Sequence, residues 1–311
     1  MIKLSKYIAT RPGNYSLIIL KNGMKLRMLD DFETEFKADY PECIDIKISN
    51  MCSIGCPYCH ENSVPNGDYA NPFKYKELLA ECGSKSLLRG SEVALGGGAL
   101  TELPIEFLEI WSDIFLKAGV ITNLTINAHE LDSFSVLSPF TSKENFGGIG
   151  ISYNRNYREQ LLKIFPQDKV VIHTIAGITS IDDYKWLIEN NFKILILGYK
   201  EFRRGEEFIK NKSSQISKNI SELEDHVLEF MEEANIISFD NLACEQLHLK
   251  EKIAPENWEK YFMGNEGEFT MYMDLVKGVY AKNSTTPEEN RLPIDFEGGI
   301  PAMFKIIRTN H

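Results

Sequence analysis

Three of the chain's six cysteines fall within eight consecutive positions, Cys52, Cys56 and Cys59, in the stretch KISNMCSIGCPYCHEN at residues 47–62. Three thiolates in a C-x3-C-x2-C loop can hold a metal ion or a cluster, and the fourth position decides between them. A structural zinc site needs a closed tetrahedral set, for which His60 is the obvious fourth ligand. Against it, the adjacent residues 59 and 60 direct their side chains apart, and no second C-x-x-C completes a zinc module. A cubane cluster takes one ligand per iron, so three cysteines leave one iron open to a small molecule. Cys43, Cys82 and Cys244 are scattered and read as small, buried, apolar residues.

The elements around the loop say where it must sit. From residue 44 onward, short β-rich runs alternate with longer helical ones, the pattern of βα units on a parallel sheet. The expected strands are 44–49, 92–96, 121–127, 148–153, 170–176 and 193–198. The helical stretches run from Pro72 to about Leu88, Pro104 to Lys117, His129 to Leu137, Tyr157 to Phe165, Ile181 to Asn190 and Ser214 to Ala234. IISF at 236–239 reads as an additional strand. Six such units favour an open (β/α)6 partial barrel, with a doubly wound sheet as the other arrangement of the same pattern. The cysteine loop then follows the first strand, and Gly96-Gly97-Gly98 ends the second, both at the C-terminal face where barrels place their chemistry. Residues 16–29 form an N-terminal hairpin turning at Asn22-Gly23. Residues 268–283 form a C-terminal hairpin turning at Lys277-Gly278. The expected divisions are a cap at 1–43, the barrel at 44–240, and an extension at 241–311 whose hairpin covers the barrel.

Composition narrows the class. The 311 residues are 43% hydrophobic and 25% charged, ordinary for a globular chain, and the net charge of −11 disfavours a phosphate backbone as partner. No apolar run approaches the ~20 residues a membrane helix needs, and the N-terminus lacks a signal-peptide core. A cytoplasmic location is expected, where clustered cysteines serve as metal ligands or catalytic thiols rather than disulfides.

The C-x3-C-x2-C loop after the first strand, Tyr58 just before the last cysteine, and the glycine pair ending the second strand together resemble the radical S-adenosylmethionine (radical SAM) superfamily, over about residues 44–240. The resemblance implies a [4Fe-4S] cluster on Cys52, Cys56 and Cys59, with SAM chelating the fourth iron. Reductive cleavage of SAM would give a 5'-deoxyadenosyl radical that abstracts hydrogen from a substrate, in oxygen-sensitive chemistry fed by a flavodoxin or ferredoxin. It also implies SAM contacts from Tyr58, from the Gly96, Gly97 and Gly98 segment, from Asn127 and Ser152 at the ends of the third and fourth strands, and from His173 in the fifth. The family's GGE motif is incomplete, because Ala99 stands in place of the glutamate, and Glu102 is a candidate replacement.

Only Cys244 lies beyond residue 82, so a single cluster is expected. The substrate is a small molecule or a peptide. Lys200, Arg203 and Arg204 after the sixth strand form a positive patch suited to a carboxylate or phosphate. Tyr272 and Asp274, on one face of the C-terminal hairpin, are candidates to supply a hydrogen atom or proton. Two alternatives stand beside the radical enzyme: a zinc-stabilised binding or scaffold protein, and a cluster-bearing barrel that does not cleave SAM.

Overall fold

The computed structural model describes residues 7–20, 23–29, 35–84, 91–164 and 167–309. Seven parallel strands follow one another in space as they do in sequence: β4 (Cys43–Ser49), β5 (Glu92–Gly97), β6 (Ile121–Asn127), β7 (Phe146–Ser152), β8 (Val170–Ile175), β9 (Lys193–Leu197) and β10 (Ile236–Phe239). They are preceded by the antiparallel β1 (Tyr7–Thr10), β2 (Tyr15–Leu20) and β3 (Lys25–Leu29), a separate three-stranded sheet. Each of the six expected strands is present. IISF adds a seventh, pairing in parallel with β9.

Side chains alternate along these strands with period 2. Ile44, Ile46 and Ile48 of β4, Val93 and Leu95 of β5, Leu124 and Ile126 of β6, Ile149 and Ile151 of β7, Ile172 of β8 and Ile194 and Ile196 of β9 are buried in the hydrophobic core. Their neighbours of opposite parity, among them Asp45, Lys47, Gly96, Asn123, Asn127, Gly150, Ser152 and His173, line a single cavity of about 1340 Å³. One face of so many consecutive strands can enclose one cavity only if the sheet curves around it. The strand order is open, running from β10 to β13 without closure.

Helices α1 (Pro72–Ser84), α2 (Ile105–Ala118), α3 (Ser138–Thr141), α4 (Arg158–Lys163), α5 (Ile181–Glu189) and α6 (Arg204–Glu233) connect the parallel strands. In α2, Leu108, Trp111, Phe115 and Ala118 recur at helical spacing and are buried, Trp111 stacks on Tyr75 of α1, and Gly119 ends the helix at φ 70. The helix expected from Ser214 starts ten residues earlier, in the charged run RRGEE, with non-helical angles at Lys212 joining two helical pieces. Helices α7 (Asn241–Gln246), α8 (Leu249–Lys252) and α9 (Pro255–Tyr261) lead to β11 (Thr270–Asp274), β12 (Val279–Ala281) and β13 (Leu292–Pro293), which α10 (Gly299–Thr309) follows.

The C-terminal hairpin departs from the expected cover. β11 pairs in parallel with β4 and carries the main sheet onward, so the hairpin is its edge. The reason is in TMYMD, which is buried on both faces: Met271 and Met273 join the core, while Tyr272 and Asp274 face the other way. The N-terminal hairpin is three strands rather than two, and Asn22 of its expected turn lies outside the described residues. The expected helix end near Leu88 and the side chain of Cys82 also lie outside them. The small sheet sits at the end of the barrel opposite the cysteine loop. Its Lys25 pairs at 2.5 Å with Glu92 at the start of β5, whereas the loop leaves the far end of β4.

Candidate active site at the C-terminal ends of the strands

The loop between β4 and α1 is tied down by its backbone. Asn50 N–H donates to Asp68 O, Val64 N–H to Asn50 O and Cys52 N–H to Val64 O. Across to the next strand, Gly98 N–H donates to Ser49 O and Ala99 N–H to Met51 O, both at 2.8 Å. That close approach explains two of the three glycines. A Cβ at Gly98 would sit 2.0 Å from Met51 O, and one at Gly97, whose φ is 116, would sit 2.3 Å from Ser49 O. Gly96 has open space before it, with Thr125 at 3.7 Å.

Cys52, Cys56 and Cys59 all face the cavity. Burial pushes the Cys52 thiol up, opposed by the Ile54 and Gly55 amides directed at its sulfur. Burial and the neighbouring thiols push Cys56 up to about 11. Asn127 Nδ2 donates to Cys56 Sγ at 3.6 Å, and its orientation is fixed because Oδ1 accepts from His129 N–H at 3.1 Å and lies 2.7 Å from His129 Nδ1. Desolvated thiols that meet N–H donors suit an occupant that supplies positive charge and displaces their protons. Among the described residues, no three His, Cys, Asp or Glu side chains converge as a mononuclear metal site requires. A Cys3His zinc set is thus not preformed; the thiolates of a cubane also gather around one cluster, but at wider spacing, because each binds a different iron. His60 faces the same cavity, and burial followed by Lys200 pulls its pKa down to about 3.

Three residues separated widely in sequence form one row across the mouth. Asn127 is in register with Ser152, and Ser152 with His173. His173 lies over Gly150, where a Cβ would strike its ring at 2.2 Å, so the glycine is the space the imidazole occupies. Burial lowers His173 to about 4, leaving a neutral ring in the cavity wall. Tyr58 also lines the cavity and packs edge-on against Phe208 of α6 at 5.7 Å; burial raises it to about 12.

A buried ionic network holds the loop from beneath. Lys47 Nζ donates to Glu61 Oε2 at 2.7 Å and lies 3.6 Å from Asp274, which faces Arg291 at 3.7 Å. Tyr272 O–H donates to Glu61 Oε1 at 3.3 Å, and Arg291 lies over the Tyr272 ring. Burial acts to raise Glu61, but His60 in its protonated form, and Lys47 and Arg203 throughout, outweigh it and hold the carboxyl at about 2.

The residues expected to meet a substrate are distributed differently. Arg203 donates to the carbonyls of His60 and Glu61 and to Glu288, and Arg204 to the carbonyl of Ser63. Arg203 thus clamps the cysteine loop and is not part of the cavity wall. Lys200 does face the cavity, with Nζ donating to Ser284 Oγ at 3.1 Å. Tyr272 lines the cavity, whereas Asp274 is fully buried within the ionic network. Glu102 is not free to replace the missing GGE carboxylate, because it accepts from both the amide and the hydroxyl of Ser53. Ala99 is 1% exposed. Sequence reading missed Lys47, Glu61, Asp45 and Glu130, although the first and third were visible as charges at alternate positions of an otherwise apolar strand, IDIKI.

No protein-family model matches the chain, and no curated protein does. Solved structures do. Streptococcus suis SuiB bound to precursor peptide SuiA superposes with a TM-score of 0.58 at 15% identity, covering 86% of this chain and 65% of that one. Native anSMEcpe with bound AdoMet and Cp18Cys peptide gives 0.58 at 14% identity, covering 84% and 79%. The AdoMet-bound form gives 0.57, at 14% identity and 84% and 80% coverage. Both proteins are radical SAM enzymes, and the chain has their fold; it spans just under two thirds of SuiB.

Proposed function

We propose that the chain is a radical SAM enzyme, with a [4Fe-4S] cluster on Cys52, Cys56 and Cys59, acting on a peptide or small-molecule substrate. The observation that carries this reading is the meeting of those three thiols with Asn127, Ser152 and His173 at the mouth of one deep cavity, in a fold shared with SAM-binding enzymes. When bound, the cluster and SAM supply reductive cleavage to methionine and a 5'-deoxyadenosyl radical.

The chain's own groups prepare the place. Asn127 donates to Cys56 and so favours the thiolate there. Ile54 and Gly55 amides do the same for Cys52. The Ser152 hydroxyl and the neutral His173 offer hydrogen bonds to a ribose or carboxylate, and Tyr58 supplies an aromatic face to an adenine. Gly96 leaves its backbone accessible for the SAM amino group, and Gly97 and Gly98 bring that segment against the loop. We assign residues 1–43 to a cap over the far end of the barrel, 44–240 to the catalytic barrel, and 241–311 to an extension that completes its wall. A cytoplasmic setting and an electron donor of flavodoxin or ferredoxin type complete the reading. A peptide substrate is favoured because SuiB is seen with a precursor peptide and anSMEcpe with peptides. Among the described residues no helix is long and apolar enough to cross a membrane.

The test is anaerobic reconstitution. About four irons per chain, a brown absorbance lost in Cys52→Ala, Cys56→Ala or Cys59→Ala, and 5'-deoxyadenosine after reduction are expected; purification with zinc and no iron refutes the proposal. A second reading, a cluster-bearing barrel that binds but does not cleave SAM, draws on Ala99 and on the engagement of Glu102 by Ser53. It is sustained if loaded, reduced protein binds SAM and releases no deoxyadenosine.

A further inference from the structure

Most charges that line the cavity are matched. Lys25 pairs with Glu92, and Lys47 with Glu61. Lys169 and Lys193 donate to the carbonyls of Phe146 and Asp168, and Arg204 to that of Ser63. Glu130 accepts from Thr101 and from the amide of Asn127. Among the described residues the carboxylates of Asp45, Glu144 and Asp168 accept no hydrogen bond and form no ion pair; Glu144 and Asp168 precede β7 and β8 at the rim opposite the cysteines, and Asp45 alone of the three lies within a strand, facing the cavity.

Its place in the barrel is specific. Asp45 lies in register with Ala94, Ala94 with Asn123, Asn123 with Gly148, and on the other side Asp45 is in register with Tyr272. This level is two residues along each strand from that of Lys47 and Gly96, and deeper than the row of Asn127, Ser152 and His173. The small Ala94 beside it and Gly96 above, where a Cβ would meet only Thr125 at 3.7 Å, leave space in front of the carboxylate. The polar groups beside it are committed elsewhere: Asn123 Nδ2 to Glu92 at 3.3 Å, and the Tyr272 hydroxyl to Glu61. Lys200 is the cation acting most on Asp45, but its Nζ is held by Ser284, and Glu266 and Glu61 add negative charge to the same region. The Asp45 side chain is exposed to the cavity, and its enclosure by the surrounding barrel raises the carboxyl above its usual value, which Lys200 opposes.

While the cavity holds water, such a carboxylate is hydrated. A substrate that fills the cavity strips that water away, and a neutral side chain would leave the charge uncompensated. A substrate bearing a cation restores the balance. We propose that Asp45 is a substrate-binding residue that receives an ammonium or guanidinium group, so that the substrate presents a lysine- or arginine-type side chain into the barrel. This rests on the radical SAM reading for the identity of the site as a substrate cavity.

The experiment measures calorimetric binding of two probes to the reconstituted protein: N-acetyl-lysine methylamide, and N-acetyl-norleucine methylamide, which lacks only the terminal amine. A charge-assisted hydrogen bond of ordinary strength predicts a preference of about 10- to 100-fold for the lysine probe. Asp45→Asn is expected to reduce that preference to less than about 3-fold, with iron content and melting temperature as controls and Asp45→Ser as the second variant should the first misfold. Equal affinities, failure of the lysine probe to bind, or a preference that survives in both variants overturns the assignment. Deoxyadenosine release by the unmutated protein is followed in parallel. Its absence with the lysine preference intact removes the catalytic reading alone, and its presence without any preference removes the Asp45 assignment alone.

Discussion

Replacing Lys47 by Met tests whether the cysteine loop is held by the ionic network beneath it. Lys47 is 3% exposed, pairs with Glu61 at 2.7 Å and lies 3.6 Å from Asp274. Removing one member of a buried pair leaves an uncompensated charge and costs about 3–5 kcal/mol. Here the lower end applies, because Glu61 retains Arg203 at 3.5 Å and Asp274 retains Arg291 at 3.7 Å. At about 2 °C per kcal/mol for a chain of this size, Lys47→Met should lower the melting temperature by about 6 °C. Glu61→Gln should be destabilising too, and the double variant should lose less than the sum of the singles by about 0.5–3 kcal/mol, since the two share one interaction. Thermal unfolding followed by circular dichroism, with iron content of each reconstituted variant, is the assay. Because Glu61 stands two residues after Cys59, iron loading should fall with stability. The reasoning fails if Lys47→Met melts within 1–2 °C of the parent, or if the two substitutions are additive.

Other outcomes follow from the same geometry. Gly98→Ala, whose Cβ would lie 2.0 Å from Met51 O, should displace the loop and cut iron loading at least by about half, an effect of the overpacking kind, whereas Gly96→Ala meets only Thr125 at 3.7 Å and should load normally; iron analysis of the pair decides it. Gly150→Ala should force His173 off its seat at a cost of about 1–3 kcal/mol, visible as a lower melting temperature and weaker SAM binding by calorimetry. Asp183 accepts from Arg155, Ser180, Tyr153 and Arg158, and although burial acts to raise it, these donors hold its carboxyl below the usual value. Its stabilisation is therefore present above the unfolded carboxyl value of about 3.9 and is lost as pH falls through the lower folded value. Asp183→Asn should flatten that part of the acid limb of stability against pH, and unchanged acid sensitivity would refute the assignment.

Much of the arrangement was legible before any coordinates. Alternation of short β runs with helical ones named all six expected parallel strands, and the cysteine spacing named the loop, because both are local patterns. The resemblance to the radical SAM family pointed to Asn127, Ser152 and His173, although their convergence into one row depends on the register of β6, β7 and β8. The fate of Arg203 was not legible. In sequence it is a cation after the sixth strand; in the fold, α6 begins at Arg204 and swings it onto the carbonyls of His60 and Glu61, more than 140 positions away.

The sequence by itself determined the thiols, the strands and the side each residue faces, since spacing and period 2 are properties of the chain alone. Tertiary structure decided which charges find partners. Lys47 meets Glu61 because the loop folds back over β4, Glu102 is taken up by Ser53, and β11 extends the sheet beside β4 because Met271 and Met273 join the core on one face while Lys47 and Arg291 meet Asp274 on the other. Asp45 is left facing open space for the same kind of reason. Its neighbours across the sheet are Ala94 and Tyr272, and neither offers it a free donor.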